Sequence, residues 1–126
     1  MPLYTNVGYV PALMSGVPFA VWENELAKLL QQLYPSRQVA LPPLRQASML
    51  SVDGQFDGDP GAFEVDVQVA VVDLDANYQT IASGNITTVD AANFTFHMDV
   101  LTCALFARLL MRSLENNVNV TAYLTR

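Results

Sequence analysis

The sequence predicts an α+β domain in which an antiparallel sheet of about four to five strands is packed by two helices and preceded by an extended N-terminal arm. Three observations predict it: alternating apolar and polar residues in several segments, leucines at helical spacing in two others, and an uncharged stretch at the start. A chain of 126 residues is the usual size of a single core. We therefore expect an arm over residues 1–21 and one domain over residues 22–126.

The arm is predicted from its prolines and its lack of charge. Residues 1–21 contain Pro2, Pro11 and Pro18 and no charged side chain, which excludes a continuous helix and favours an extended path. The segment is too apolar for a solvated tail. It is expected to pack either on its own domain, as an edge strand, or across a neighbouring subunit. The candidate interface residues are Leu3, Tyr4, Tyr9, Val10, Leu13, Met14 and Phe19.

Two helices follow from leucine spacing. Over residues 22–34, Trp22 and four leucines recur at helical intervals, and Pro35 ends the pattern. Over residues 100–115 a broad apolar surface leaves few polar positions, and Asp99 is a candidate N-cap. The second helix is predicted to be mostly buried.

The strands are predicted from alternation. Residues 63–71 place Phe63 and four valines on one face and mostly polar residues on the other, and residues 78–89 form the partner strand of a hairpin. Gly84 inside that partner indicates a bulge or a close backbone approach. Further strands are predicted over residues 47–52, 94–98 and 118–125. The stretch DGQFDGDPGA, between the strands at residues 47–52 and 63–71, is predicted to be a loop.

Charge is distributed unevenly along the chain. The formal net charge is −6, and no Lys or Arg lies between Arg45 and Arg108, whereas that stretch holds nine acids. Because nucleic-acid binding needs clustered cations, the pattern argues against it. The acids form either a solvated face or a face that meets the basic ends of another subunit. The candidate acidic face comprises Asp53, Asp57, Asp59, Glu64 and Asp66.

Membrane insertion and export are not expected. The longest apolar-leaning run, over residues 101–114, is interrupted by Arg108 and Arg112 and is shorter than the ~20 residues that a bilayer span requires. The first 22 residues contain neither Lys nor Arg, so the basic start of a secretory signal is missing. We expect a protein that is made and used without a signal peptide.

The residues that most often carry catalysis are scarce. His97 is the sole histidine, which excludes a His-rich metal site within one chain. Asp99 lies on the same predicted strand face, but no serine has the surroundings of a nucleophile elbow. Cys103 falls in the first turn of the second predicted helix, where a helix dipole would lower a thiol pKa; its apolar surroundings favour a small buried side chain instead. No catalytic site is predicted.

Calcium binding is considered for one acidic segment. Asp73, Asp75 and Asn77 have the first three ligand spacings of an EF-hand loop, but Tyr78 replaces the turn glycine and Gly84 the bidentate glutamate. The acids of the glycine-rich loop near residues 53–59 are typical of an ordinary turn. We therefore expect neither a metal nor a cofactor.

The order of elements resembles that of a known group of structural proteins. It consists of helix 22–34, a hairpin built on FEVDVQVAVVDLD and YQTIASGNITTV, helix 100–115 and the closing strand VNVTAYLTR. This order resembles the small ring-forming tail-terminator and neck proteins of tailed bacteriophages. The resemblance implies a ring in a virion, assembled in the host cytoplasm, with acids lining a channel. The arm is more similar to the subunit-clasping arms of capsid or decoration proteins, so capsid, neck and tail positions stay open.

Composition leads to the functional prediction. The chain is 52% hydrophobic and 14% charged, so an isolated copy would expose apolar patches of the kind that partners cover. We predict a non-enzymatic structural subunit that assembles with itself and with other assembly proteins. The alternatives are a small-ligand or peptide-binding module that uses Glu64, Asp66, Gln68 and His97, and an enzyme with an accessible His97 or Cys103.

Overall fold

The computed structural model describes residues 10–33, 35–41 and 48–126. Within these ranges the chain forms eight strands, one seven-residue helix and a 3-10 turn at Asp75–Asn77. In chain order the elements are β1 (Phe19–Leu26), α1 (Ala27–Leu33), β2 (Val39–Ala40), β3 (Ser48–Phe56), β4 (Phe63–Ala70), β5 (Gln79–Ile86), β6 (Thr95–Thr102), β7 (Phe106–Leu114) and β8 (Asn119–Thr125).

The strands form two four-stranded antiparallel sheets. Sheet I has the order β1-β8-β3-β6, and sheet II has the order β2-β7-β4-β5. The first strand thus pairs with the eighth, the second with the seventh, the third with the sixth and the fourth with the fifth. The first four strands thus pair with the last four in reverse order, and the resulting antiparallel strand pairs alternate between two facing sheets. This connectivity is the eight-stranded jelly roll.

The two sheets enclose one core. Inward-facing residues of both sheets belong to a single buried cluster, and three phenylalanine rings join the sheets. Phe56 of β3 lies 5.0 Å from Phe63 of β4, and Phe96 of β6 lies 5.5 Å and 6.1 Å from those two rings, measured between centroids. Gly54 makes room for this arrangement, since a Cβ there would lie 2.0 Å from Cζ of Phe96.

The predicted α+β class is wrong, chiefly because the second predicted helix is absent. Residues 100–115 contain the end of β6, a short connection and the whole of β7. In β7 the inward positions Ala107, Leu109 and Met111 are fully buried, and the outward Arg108 is 7% exposed. A strand covered on both faces loses the apolar–polar alternation that marks a half-exposed strand, so its sequence cannot be told from that of a buried helix by periodicity.

The first predicted helix is only partly present. Helix α1 covers residues 27–33, whereas the residues from Trp22 to Leu26 belong to β1 and pair irregularly with β8. Asn24 there has a φ of 51°, and its backbone N–H donates to the Thr121 hydroxyl. Tertiary pairing therefore overrides the helical spacing at the start of this segment.

Most of the predicted strands are confirmed. The strand from Phe63 ends at Ala70 and pairs with β5 as a hairpin, and the strands predicted near residues 47–52, 94–98 and 118–125 correspond to β3, β6 and β8. The pairing of β4 with β5 shifts register opposite Gly84, where a Cβ would lie 3.1 Å from that of Val67. The predicted bulge and the close approach are both present.

The described part of the arm packs on its own domain. Leu13 is 4% exposed within the core, and its N–H donates to the Ala40 carbonyl at 2.8 Å. Ala12 forms a parallel bridge with Ala40, and the N–H of Gly16 donates to the carbonyl of Arg126. Strand β1 starts at Phe19 and crosses the predicted boundary between residues 21 and 22.

Candidate interaction surfaces

The ends of strands from both sheets meet at one end of the sandwich. Strand β4 ends and β7 begins at the paired residues Ala70 and Phe106. Only three residues separate Thr102, the last residue of β6, from Phe106, and the N–H of Leu105 donates to the Ala70 carbonyl at 3.1 Å. Because all strand pairs are antiparallel, the starts of β1 and β3 and the end of β8 also lie here. We call this the apolar end.

The apolar end collects most of the exposed large hydrophobic side chains. Eleven such side chains are found in the part of the chain that the structure describes, and eight of them lie at this end. Their exposed fractions range from 36% to 68%. The eight are Met14, Val17, Met49, Val71, Val72, Leu74, Leu101 and Leu105. A concentrated apolar surface of this kind is typical of a site where another molecule binds.

The opposite end is acidic, and its carboxylates stabilise the loops that carry them. Asp57 accepts the N–H of Asn119 at 2.8 Å, and Asp59 accepts that of Gly61 at 2.9 Å. Asp90 and Glu115 likewise accept backbone N–H groups of neighbouring turns. Two members of the predicted acidic face, Asp57 and Asp59, therefore serve the local loop structure.

The outer face of sheet I carries a row of hydrogen-bonded polar side chains. His97 lies between two carboxylates: its Nδ1 is 2.6 Å from Asp53 Oδ1, and its Nε2 is 3.1 Å from Asp99 Oδ1. The Ser51 hydroxyl donates to Asp99 at 2.6 Å. Strands β3 and β6 place these side chains together because Asp53 is paired with His97, and Ser51 with Asp99. We call this row the histidine ladder.

The ladder favours a charged imidazole. The hydrogen bond that His97 donates to Asp53, and then the one that it donates to Asp99, raise the pKa of His97, while the hydrogen bonds that Asp99 accepts from Ser51 and His97 lower the pKa of Asp99. Ser51 contacts Asp99 rather than His97, so the hydroxyl and the imidazole are not arranged as nucleophile and base. About half of the His97 side chain is exposed, and an open groove of about 500 Å³ runs beside it.

The outer face of sheet II holds a buried polar cluster instead of a solvated strand face. Asp66 is 2% exposed and accepts hydrogen bonds from Arg112, Asn85 and Thr80. Asn85 also donates to Glu64. The Asp66 carboxylate is thus fully paired within the sheet, as a buried charge must be.

A second cluster lies next to it on the same sheet. The buried Arg108 donates to Gln68 and to Asp75, each at 2.9 Å, and its guanidinium stacks 3.9 Å from the centre of the Tyr78 ring. The Tyr78 hydroxyl donates to Asp73 at 2.6 Å. Burial, together with this bond, raises the pKa of Tyr78. The EF-hand-like segment therefore forms a cap over Arg108.

The predicted binding pocket is not assembled. Glu64, Asp66 and Gln68 lie on the outer face of sheet II, whereas His97 lies on the outer face of sheet I. Asp66 and Gln68 are buried and bonded to arginines. The five acids of the predicted acidic face do not form one face either. Asp53 lies in sheet I, Glu64 and Asp66 lie in sheet II, and Asp57 and Asp59 lie in the loop between β3 and β4.

The predicted interface residues of the arm have different surroundings. Leu3, Tyr4 and Tyr9 lie outside the described residues. Of the others, Leu13 is buried, Val10 and Phe19 are half-buried, and Met14 is 68% exposed. Among these four described residues, only Met14 belongs to the apolar end.

Sequence reasoning missed most of the apolar end. Val71 was predicted to lie on the inner face of a strand, but β4 ends one residue earlier and Val71 is 67% exposed. Leu101 was placed in a helix and lies on an outer strand position. Cys103 is exposed in the β6–β7 connection rather than buried. The run of apolar residues continuing past the β4 alternation was the signal that could have been used.

Comparison with known proteins gives no relative: no family model, curated protein or solved structure matches the chain. Among the described residues, no cluster of His, Cys, Asp and Glu side chains is arranged to hold a metal ion. In the same part of the chain, no helix has the length and apolarity needed to span a bilayer.

Proposed function

We propose that this protein is a non-enzymatic structural subunit that associates with copies of itself through the apolar end, as a component of a virion. The observation that carries the proposal is the concentration of eight of eleven exposed large hydrophobic side chains at one end of the sandwich. Scattered apolar residues need no explanation, but a contiguous group is typical of a covered surface.

The size of the apolar effect supports association. Full burial of a Val, Leu or Met side chain is worth about 1.5–3 kcal/mol, and these side chains are on average about half exposed. Each therefore offers on the order of 1 kcal/mol if a neighbour covers it. The carboxylates near these side chains already have partners within the chain: Asp99, which neighbours Leu101 on β6, is bonded to Ser51 and His97, and Asp73 and Asp75 are bonded to Tyr78 and Arg108.

The virion part of the proposal has a different support. Jelly rolls occur in viral capsid proteins, lectins and cupins, and because one fold serves many functions the argument is by analogy. A cupin-like metal site inside the barrel has no histidines to build it, since His97 lies on the outer face. The resemblance to tail-terminator and neck proteins depended on a helix predicted over residues 100–115 of this chain, where the structure has strands β6 and β7. The jelly roll, not that order, now supports the virion role.

The free thiol of Cys103 is consistent with assembly inside a cell. Cys103 is exposed and unpaired, and an exposed thiol persists in a reducing compartment. The proposal therefore includes assembly in the host cytoplasm, with other assembly proteins as further partners.

The test is the oligomeric state of the full chain across a range of concentrations, measured by native mass spectrometry and sedimentation velocity. We expect a discrete symmetric oligomer. Val72→Asp adds a charge at the apolar end and should raise the dissociation constant at least tenfold, because a carboxylate must then be desolvated. Ala91→Asp adds the same charge at an exposed position in the β5–β6 connection and should leave association unchanged. A monomer at every concentration, or equal effects of both variants, would overturn the proposal.

A further inference from the structure

We infer that the apolar end of one copy is covered by residues 1–9 of a second copy. This inference rests on the proposed self-association and specifies what occupies the surface. It follows from the direction of the described arm, the reach of the segment before it, and the chemistry of the two surfaces.

The described part of the arm, residues 10–13, runs toward the apolar end of its own copy. The N–H of Ala40 donates to the Pro11 carbonyl, and the N–H of Leu13 donates to the Ala40 carbonyl, each at 2.8 Å. The arm therefore runs parallel to β2. Strand β2 runs toward the apolar end, since Ala40 pairs with Phe106, the first residue of β7. Residues 10–13 thus run from the side of the acidic end toward the apolar end, and residues 1–9 precede them in the chain.

The reach of the segment is sufficient for an exchange between copies. Nine residues span at most ~30 Å when extended, about the length of one of the nine-residue strands of this sandwich. A neighbour whose apolar end lies beside the β2 edge of the first copy, opposite the edge formed by β5, is within that distance. The segment can therefore reach another copy without detaching residues 10–13 from β2.

The chemistry of the segment matches the surface. Residues 1–9 contain no charged side chain and include Leu3, Tyr4, Val7 and Tyr9. Placing them on an apolar surface desolvates no charge, and tyrosines contribute large contact areas while keeping a polar hydroxyl for solvent. The same chain thus carries both an apolar surface and an uncharged segment that suits it. Because residues 1–9 join the described arm on the side away from its own apolar end, we assign them to the apolar end of a second copy.

Cys103 provides the reporter for the test, because it is exposed at the apolar end and is the single cysteine of the chain. The full chain with Thr5→Cys keeps every apolar side chain of the segment. Chains grown in ¹⁴N and in ¹⁵N are mixed, dissociated, allowed to reassemble and joined with a short bismaleimide. Mass spectrometry of the digest then identifies both the linked positions and the isotope of each chain. The control variant is Ala91→Cys, which places the second thiol at the acidic end.

The expected result is a link between positions 5 and 103 that joins a heavy chain to a light chain in about half of the cross-linked pairs, as random mixing requires. The control should give far less of any link to Cys103 from position 91. Links confined to single chains would overturn the inference and place the segment on its own copy. An oligomer without a link from position 5 to Cys103 would also overturn it, while leaving self-association intact. A chain that stays monomeric would overturn the proposed function and the inference together.

Discussion

The contact between Gly54 and Phe96 yields the sharpest stability prediction for the sandwich. A Cβ added at Gly54 would lie 2.0 Å from Cζ of the Phe96 ring and within 2.5 Å of two further ring carbons, whereas carbon atoms in contact are separated by about 3.5–4.0 Å. The ring would have to move by about 1.5–2 Å. Phe56 and Phe63 pack against it, so this movement would disturb the aromatic cluster that joins the sheets.

We expect Gly54→Ala to lower the free energy of unfolding by about 3 kcal/mol, the upper part of the range for overpacked cores. With an m-value of about 2 kcal/mol per molar, this lowers the urea midpoint by about 1.5 M. The assay is urea unfolding followed by the fluorescence of Trp22, the single tryptophan, which is fully buried. The matched control is Gly58→Ala, where the new Cβ would lie 3.5 Å from Val118, an ordinary contact that should change stability by less than about 1 kcal/mol.

A second substitution tests the cause. Phe96→Leu removes part of the ring that the new methyl group would contact. This substitution should therefore lower the free energy of unfolding less in the Gly54→Ala background than in the original chain. We expect a coupling free energy of at least about 1 kcal/mol between the two positions. An unchanged midpoint for Gly54→Ala, or strictly additive effects in the double variant, would refute the packing of β3 against β6 as described.

Three further substitutions probe other parts of the molecule, each by the same unfolding assay. Asp66→Ala should lower the free energy of unfolding by about 2 kcal/mol because it removes the buried charged acceptor of three hydrogen bonds, whereas Glu64→Ala on the same outer face should lower it by less than about 1 kcal/mol; equal effects would contradict the buried cluster. Val67→Asp should prevent folding because Val67 is fully buried, and Val71→Asp should give a folded protein; a folded Val67→Asp variant would mean that the faces of β4 are reversed. The pKa of the His97 imidazole is higher in the folded state than in the unfolded state. Its pairing with the two carboxylates therefore stabilises the fold to the full extent at a pH below the unfolded-state pKa, and this stabilisation is lost as the pH rises through the folded-state pKa. The original chain should therefore exceed His97→Gln in stability near pH 6 by less than about 1 kcal/mol, as for exposed ion pairs, with the difference closing at higher pH; a pH-independent difference would exclude the ladder as its source.

The parts of the fold that could be predicted are those specified by local sequence. The alternation from Phe63 predicts β4 because only one of its faces joins the common core, and Gly84 marks the bulge in its partner. Strand β7 could not be predicted in the same way, since Arg108 is buried by a cap that comes from residues 73–78, at least thirty positions earlier. The start of the first helix was predicted five residues too early because Trp22 belongs to β1 and pairs with β8.

The candidate surface was less accessible to prediction than the fold. Val17, Met49, Val72 and Leu101 are far apart in the sequence, and only the jelly-roll connectivity brings them to one end. Composition alone predicted that some apolar surface would be exposed, and this is confirmed by the eight side chains at the apolar end. Where that surface lies depends on which strand ends meet, and that is a property of the whole topology.

The place of β8 within sheet I determines when the sheet can form. This strand lies between β1 and β3, so the first and third strands have no direct hydrogen bonds to each other and depend on a strand synthesised almost a hundred residues after β1. Three of its residues, Val120, Ala122 and Leu124, are fully buried. Until they arrive, β1 and β3 each present an open edge and an uncovered apolar face, the condition in which strands pair with other chains. Sheet I is therefore expected to form only after β8 has been synthesised, and to form slowly because every strand pairing among the described residues except the β4–β5 hairpin closes a long loop.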